Sequence, residues 1–371
     1  MRGPAFRLVK DSRVITAPEE RPPIARGVSA GKSADSVTSP GGANESHSRR
    51  LGLNIELMSG LHHPRIKPRA LRPGDKVGIV APASNLKREM LEAGCDGLRR
   101  AGYEPFYFPS ILERDLYFAG SVERRARELE DMFERDDIRA IVCARGGYGS
   151  NYLLTAIDLK KIAAHPKIFV GYSDLTTLLT WFLDSANFIT FHGPMVAKDF
   201  AVDSGVDLPS WQNALSGMTE WEIGEGSGAK PVATGEAEGI LYGGCLSILV
   251  AALGTPYDIK TDGAILFLED LAAKPYQIDR MLMQLKLAGK LKQVRAILFG
   301  EMMDCRQTPT QDYTLEEVVL RVVGDLGIPV AYGLRSGHVS RANITLPFGV
   351  RARLEVGDEV RLNILESATI K

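Results

Sequence analysis

Residues 140–157 read AIVCARGGYGSNYLLTAI, and the fold class turns on them. The apolar run Ile138–Ala144 has the length and composition of a strand buried on both faces. A glycine-rich turn, Gly146-Gly147-Tyr148-Gly149, interrupts it. Residues 151–164 then take a helical pattern. Strand, sharp turn and helix in that order lift the residue after the turn, Ser150, above the carboxyl end of a parallel sheet, where open α/β sheets place their sites. At a helix N-terminus the free N–H groups and the dipole stabilise developing negative charge.

Working outward, the same alternation repeats. Lys76–Ala81 (KVGIVA) reads as a buried strand, and residues 86–101 as a helix stopped by Gly102. Tyr107 and Phe108 fall in a short strand. Ser121 can cap the charged helix VERRARELEDMFERD. Further strands are expected at 167–171 and 188–191, with a helix at 174–184 between them. Residues 206–235 hold Gly, Ser, Pro and acidic residues with little periodicity and read as a linker. Beyond it come an apolar helix after Gly243-Gly244, the strand AILFLED (264–270), and the helix PYQIDRMLMQLKLA (275–288). In that helix Ile278, Met281, Leu282 and Leu285 form one buried stripe. The strand RAILFG (295–300) follows, then the Thr314/Glu317 capping box and a hairpin over 347–366. The expected architecture is α/β. A Rossmann-like parallel-sheet domain over 68–205 carries a nucleophile elbow, and a smaller strand-rich α/β domain occupies 236–371. Residues 1–67 stand outside both.

Composition narrows the function. The 371 residues hold 45 Lys and Arg against 46 Asp and Glu, for a net charge of −1. That balance offers no overall attraction for nucleic acid or anionic lipid. No apolar run reaches the roughly 18 residues of a membrane-spanning helix. Cys95, Cys143, Cys245 and Cys305 form no CxxC pair, and their apolar neighbours favour reduced, buried thiols in a cytoplasmic protein. The first 57 residues carry 9 Lys and Arg against 6 Asp and Glu and are rich in Gly, Pro and Ser. They read as a disordered tail, with Met58 as an alternative start.

Ser150 admits three readings: a nucleophile, a helix cap, or part of a phosphate-cradling loop. The full GxGxxG fingerprint and a P-loop lysine are both absent, and GYGSN is not GxSxG. A serine nucleophile needs a base. His192 in FHGP and His338 in RSGHVS both follow strands and could supply it; His47, His62, His63 and His165 lie in the tail or in polar connectors. An acid to orient the base could be Glu269 or Asp270, at the end of AILFLED. No spacing of His, Cys, Asp and Glu suggests a metal, and no cofactor is expected.

Eight ordered blocks, taken together, resemble the LD-carboxypeptidase family of serine peptidases, which includes muramoyl-tetrapeptide carboxypeptidases and microcin C immunity peptidases. They are LRPGDKVGIVAPAS (71–84), YFAGSVERRARELEDMF (117–133), ARGGYGSNYLL (144–154), VGYSDLTTLL (170–179), FHGPM (191–195), FLED (267–270), PYQIDRMLMQL (275–285) and GLRSGH (333–338). The resemblance implies Ser150 as nucleophile, Glu269 rather than Asp270 as the acid, and His338 rather than His192 as the base. Cys245 stands where the family motif has Asn. The N–H groups of Asn151 and Gly147 become the expected oxyanion donors. Arg145 and Arg335 are candidate anchors for a substrate carboxylate. The implied activity is release of terminal D-Ala from a murein tetrapeptide by a cytoplasmic homodimer. The competing readings are an immunity-type peptidase acting on aminoacyl-nucleotide amides and a non-enzymatic α/β ligand-binding protein.

Overall fold

The computed structural model describes residues 65–306 and 311–371. The expected tail and the alternative start at Met58 lie outside the described residues. Two mixed sheets organise the chain. The first has six strands: β1 (Lys76–Val80), β2 (Glu104–Phe106), β3 (Ile138–Cys143), β4 (Ile168–Gly171), β5 (Thr190–His192) and β12 (Leu346–Phe348), in the order β12-β5-β4-β3-β1-β2. β1 to β5 run parallel, and β12 closes the edge antiparallel to β5, with Leu346 opposite His192. Helices α1 (Arg88–Arg100), α2 (Val122–Glu134), α3 (Leu159–Ala164) and α4 (Thr176–Ser185) make the crossovers.

The parallel strands bury both faces, which is why they read as unbroken apolar runs. In β3 the side chains alternate. Ala140 and Val142 join one apolar cluster with Val77, Ile79 and Phe191, while Ile141 and Cys143 join another with Phe133, Phe169 and Phe182. The first cluster continues without a break into the second sheet through Leu266, Phe267 and Leu298.

The second sheet has eight strands. They are β6 (Trp221–Ile223), β7 (Lys230–Ala233), β8 (Gly235–Cys245), β9 (Ala264–Glu269), β10 (Ala296–Gly300), β11 (Val330–Leu334), β13 (Arg351–Val356) and β14 (Val360–Ile364). β8 to β11 are parallel neighbours, and antiparallel strands flank them on both sides. The remaining helices are α5 (Leu208–Leu215), α6 (Leu246–Ala251), α7 (Pro275–Leu287) and α8 (Leu315–Val323).

The local signals behave as their chemistry requires. Ser121 Oγ accepts from Arg124 N at the start of α2. Thr314 and Glu317 form a reciprocal capping box on α8. Ile278, Leu282 and Leu285 of α7 are buried. Three expectations need correcting. Tyr107 and Phe108, expected in a short strand, lie just past β2, which ends at Phe106. The stretch 206–235, expected to be a linker, carries α5, β6 and β7; the two strands are short sheet edges with few apolar residues, so they leave little period to read. The helix expected over 151–164 is a 3₁₀ turn, Ser150–Thr155, followed by α3, because Asp158 caps a new start by accepting from Lys160 N.

Candidate active site

β3 delivers the glycine turn to the carboxyl end of the first sheet. Gly149 has φ +123°, and a Cβ there would meet the Phe118 ring at 2.6 Å, so both the backbone angle and the space demand glycine. Ser150 follows, fully buried. Its N–H donates to Asp174 Oδ2 at 2.8 Å and its hydroxyl to the Asp174 carbonyl at 2.6 Å. The side chain caps no helix. Asp174 lies just after β4, in a corner where Ser173 holds φ +64°, a strained value for a residue with a side chain. Burial pushes the Asp174 carboxyl up, against the N–H bonds it accepts and the nearby Arg125 charge.

Arg125 supports the turn from below. It is 2 % exposed. Its Nη1 donates to the carbonyls of Pro82 at 2.6 Å and Gly149 at 2.8 Å, and its guanidinium lies over the Phe118 ring. Sequence reasoning missed both Asp174 and Arg125. A signal for Arg125 existed: it sits at i, i+4, i+7 and i+8 with Leu129, Met132 and Phe133, a charge on the apolar stripe of α2.

The second sheet brings the other pair. Glu269, fully buried, ends β9, and His338 lies in the loop after β11. Glu269 Oε2 accepts from His338 Nδ1 at 2.7 Å and from His338 N at 3.1 Å. Gly337 makes the approach possible: at φ +90° its missing Cβ would meet Glu269 Cδ at 2.7 Å. Asn343 clamps that loop, accepting from Gly337 N and donating to Gly337 O. Burial pushes the Glu269 carboxyl up, but the neighbouring imidazoles and their hydrogen bonds more than offset it and hold the group well below the usual carboxylate range. With Nδ1 donating to Glu269, Nε2 is the basic nitrogen of His338.

The remaining candidates separate cleanly. His192, also fully buried, ends β5 and turns its Nε2 toward Glu269 Oε1 at 3.9 Å. Asp270 accepts from Ser247 N and Leu271 N, at 2.8 Å each, and so serves the start of α6. Arg335 spends its guanidinium on the carbonyls of Gly226 and Ala342. Arg145 is exposed and donates through Nη1 to Asn85 O at 3.1 Å. Asn151 and Gly147 flank the turn at the surface. Cys245 is buried at the end of β8, in register with Glu269.

Ser150 and His338 make no hydrogen bond to each other; the corner at residues 172–174 touches both. The Tyr172 ring stands edge-on to His338 at 5.2 Å, and Asp174 holds Ser150. Beside the His338 loop a cavity of about 600 Å³ is lined by Glu301, Cys305, Tyr332 and Ser340, among others. Among the described residues no group of three or more His, Cys, Asp or Glu could hold a metal ion, and no helix is long and apolar enough to cross a membrane.

The sequence and the fold are similar to those of known proteins. Residues 77–193 match the LD-carboxypeptidase N-terminal domain and residues 238–354 the LD-carboxypeptidase C-terminal domain. The chain is 36 % identical over 305 residues to a probable murein peptide carboxypeptidase of Bacillus subtilis, spanning 81 % of this chain and 95 % of that one. It is 28 % identical to the microcin C7 self-immunity protein of Escherichia coli, over 80 % of this chain and 94 % of the other. The crystal structure of muramoyltetrapeptide carboxypeptidase from Oxalobacter formigenes superposes with a TM-score of 0.71 at 30 % identity, covering 79 % of this chain and 99 % of that one.

Proposed function

Since this chain belongs to the LD-carboxypeptidase family of hydrolases, we propose that it releases the terminal D-Ala of a murein tetrapeptide, cutting the amide after meso-diaminopimelate, with Ser150, His338 and Glu269 as its catalytic triad. The observation that carries the triad is the buried Glu269–His338 bond, which leaves Nε2 as the free basic nitrogen. It is joined by a serine that follows a glycine turn with Gly147 and Gly149 at positive φ.

The steps follow from the chemistry. The Ser150 hydroxyl turns from the Asp174 carbonyl toward His338. Nε2 takes its proton as Oγ bonds to the scissile carbonyl carbon. Glu269 keeps the ring oriented and offsets its new charge. The N–H groups of Asn151 and Gly147 receive the oxyanion. The amide C–N bond then breaks, and D-Ala departs with the proton from Nε2. Water gives a proton to His338, its oxygen attacks the acyl ester, and Ser150 leaves with the proton restored. With Arg335 committed to backbone carbonyls, Arg145 is the cation of the original two left to meet the terminal carboxylate.

Four free, buried cysteines agree with a reducing, cytoplasmic setting, and so with a part in peptidoglycan recycling. The likeness to the microcin C7 self-immunity protein supports a second substrate class, aminoacyl-nucleotide amides, for the same three residues. The deciding experiment follows D-Ala release from L-Ala-γ-D-Glu-meso-Dap-D-Ala by mass spectrometry, for the parent and Ser150→Ala, with and without chelator. Release that persists under chelation and disappears in the variant supports the reading. A well-folded parent that leaves the tetrapeptide intact overturns it and moves the aminoacyl-nucleotide amides forward.

A further inference from the structure

Two buried polar atoms at the heart of the site have no hydrogen-bond partner: His192 Nε2 and Glu269 Oε1. They face each other at 3.9 Å, both on fully buried side chains. Glu269 uses its other oxygen for His338. An unpaired carboxylate oxygen in such surroundings is costly, and this imidazole faces it. On the ring's far side Nδ1 lies 3.1 Å from Ser336 Oγ, which in turn lies 2.8 Å from the Ile344 carbonyl. A hydroxyl has one proton. If Ser336 gives it to Ile344, Nδ1 must carry the imidazole's proton and a bare Nε2 lone pair faces the carboxylate. If Ser336 turns it to Nδ1, Nε2 carries the proton and presents it to Oε1 across the 3.9 Å gap.

We propose that His192 is a positioning residue, a second imidazole that carries its proton on Nε2 and fixes Glu269 Oε1, so that the carboxylate cannot turn away from His338. The proposal rests on the function given above, with His338 as the base. The groups around His192 fit this role. Phe267 of β9 and Phe348 of β12 pack apolar rings against it, and Tyr172, after β4, meets it at 5.9 Å. The titratable groups facing it are Glu269 from β9, His338 from the loop after β11, and Tyr172. Burial lowers the basicity of His192, against the pull of Glu269, which keeps the ring neutral and able to serve as a one-proton donor. Without that donor Glu269 Oε1 has no group to hold it, and the carboxylate that orients His338 is free to turn.

Three proteins test this: the parent, His192→Phe, which suits the aromatic surroundings but lacks a donor, and His192→Gln, which restores an N–H. Long-range ¹H–¹⁵N NMR at neutral pH, assigned by the signals lost in His192→Gln, is expected to show a neutral His192 ring with its proton on Nε2. Kinetics on the tetrapeptide are expected to show a ten- to hundred-fold lower kcat for His192→Phe. KM should stay nearly unchanged, and His192→Gln should recover most of the rate. A bare Nε2 or a doubly protonated ring overturns the proposal, as does folded His192→Phe with the parent's kcat. The NMR experiment needs no substrate. It therefore decides the role of His192 even if His192→Phe fails to fold, or if the tetrapeptide proves to be the wrong substrate.

Discussion

Glu269 holds both N–H groups of His338, the backbone's and the ring's, on one carboxylate oxygen. The loop and the imidazole are thereby aligned by a single atom at the end of a buried strand. Glu269→Gln should lower kcat by about 10²–10⁴-fold, since an amide supplies neither the charge nor a reliable acceptor toward Nδ1. The sign with pH also follows. The folded group is held below its ordinary value of 4.5, so its contribution to stability is present above that pH and is lost as the pH falls below it. Denaturant titrations over a pH series should show the parent losing stability relative to Glu269→Gln in acid; parallel curves would contradict the Glu269–His338 hydrogen bond.

Ser150→Ala should reduce turnover by about 10⁴-fold or more. It should also abolish labelling by a fluorophosphonate probe. The Ser150 N–H bond to Asp174 survives the substitution, so the melting temperature should change little. Labelling of the variant would place the nucleophile elsewhere.

Gly149→Ala places a methyl group against the Phe118 ring on a backbone angle that side chains avoid. The cost is expected to be about 1–3 kcal/mol. Probe labelling should slow far more than global stability falls, because the strain sits one residue before Ser150. Unfolding and labelling rates measured on the same sample separate the two effects.

Arg125→Met removes two charged hydrogen bonds, to Pro82 and Gly149, while keeping most of the apolar stem. Stability should drop by about 2–4 kcal/mol. Arg125→Lys should recover only part of it, since an ammonium cannot reproduce the planar stacking on Phe118. Chemical denaturation of the two variants decides this; an unchanged midpoint for Arg125→Met would contradict the role.

The thiols give a test of burial that needs no catalysis. Desolvation pushes Cys95 and Cys305 up to about 11 and raises Cys143 and Cys245 well above the usual thiol value. In folded protein near neutral pH, a disulfide reagent should titrate none of the four within minutes; in guanidinium it should titrate all four. Fast reaction of one thiol in folded protein would show that its element opens.

What could be read in advance was local. The buried runs of β1, β3 and β9, the stripe of α7 and the caps at Ser121 and Thr314 all rest on neighbours a few residues apart, and the fold shows each of them. Choosing between His192 and His338 was different. Each follows a strand, and only the pairing of distant strands brings both to Glu269, one on each oxygen. That is a property of topology, with no period to reveal it. Asp174 was invisible for the same reason, since its role depends on a turn 24 residues away. Asp158 was visible as a helix cap and would have divided the expected helix correctly. β6 and β7 escaped because edge strands bury little and show correspondingly little alternation.

The antiparallel pairing of β12 with β5 has a consequence for biosynthesis. Thr190–His192 is translated roughly 150 residues before its partner strand, a delay of about 8–30 s at 5–20 residues per second. Throughout that interval the nascent first sheet has an open edge, and His192 lacks the Phe348 ring that later covers it. Residues further on matter too: Ile370 pairs with Arg69, so the two ends of the described fold close on each other only after residue 370 has been made. The emerging polypeptide thus offers chaperones an unpaired strand while it is still attached to the ribosome, and a ribosome stalled before codon 346 would release a sheet whose edge is free to capture another chain.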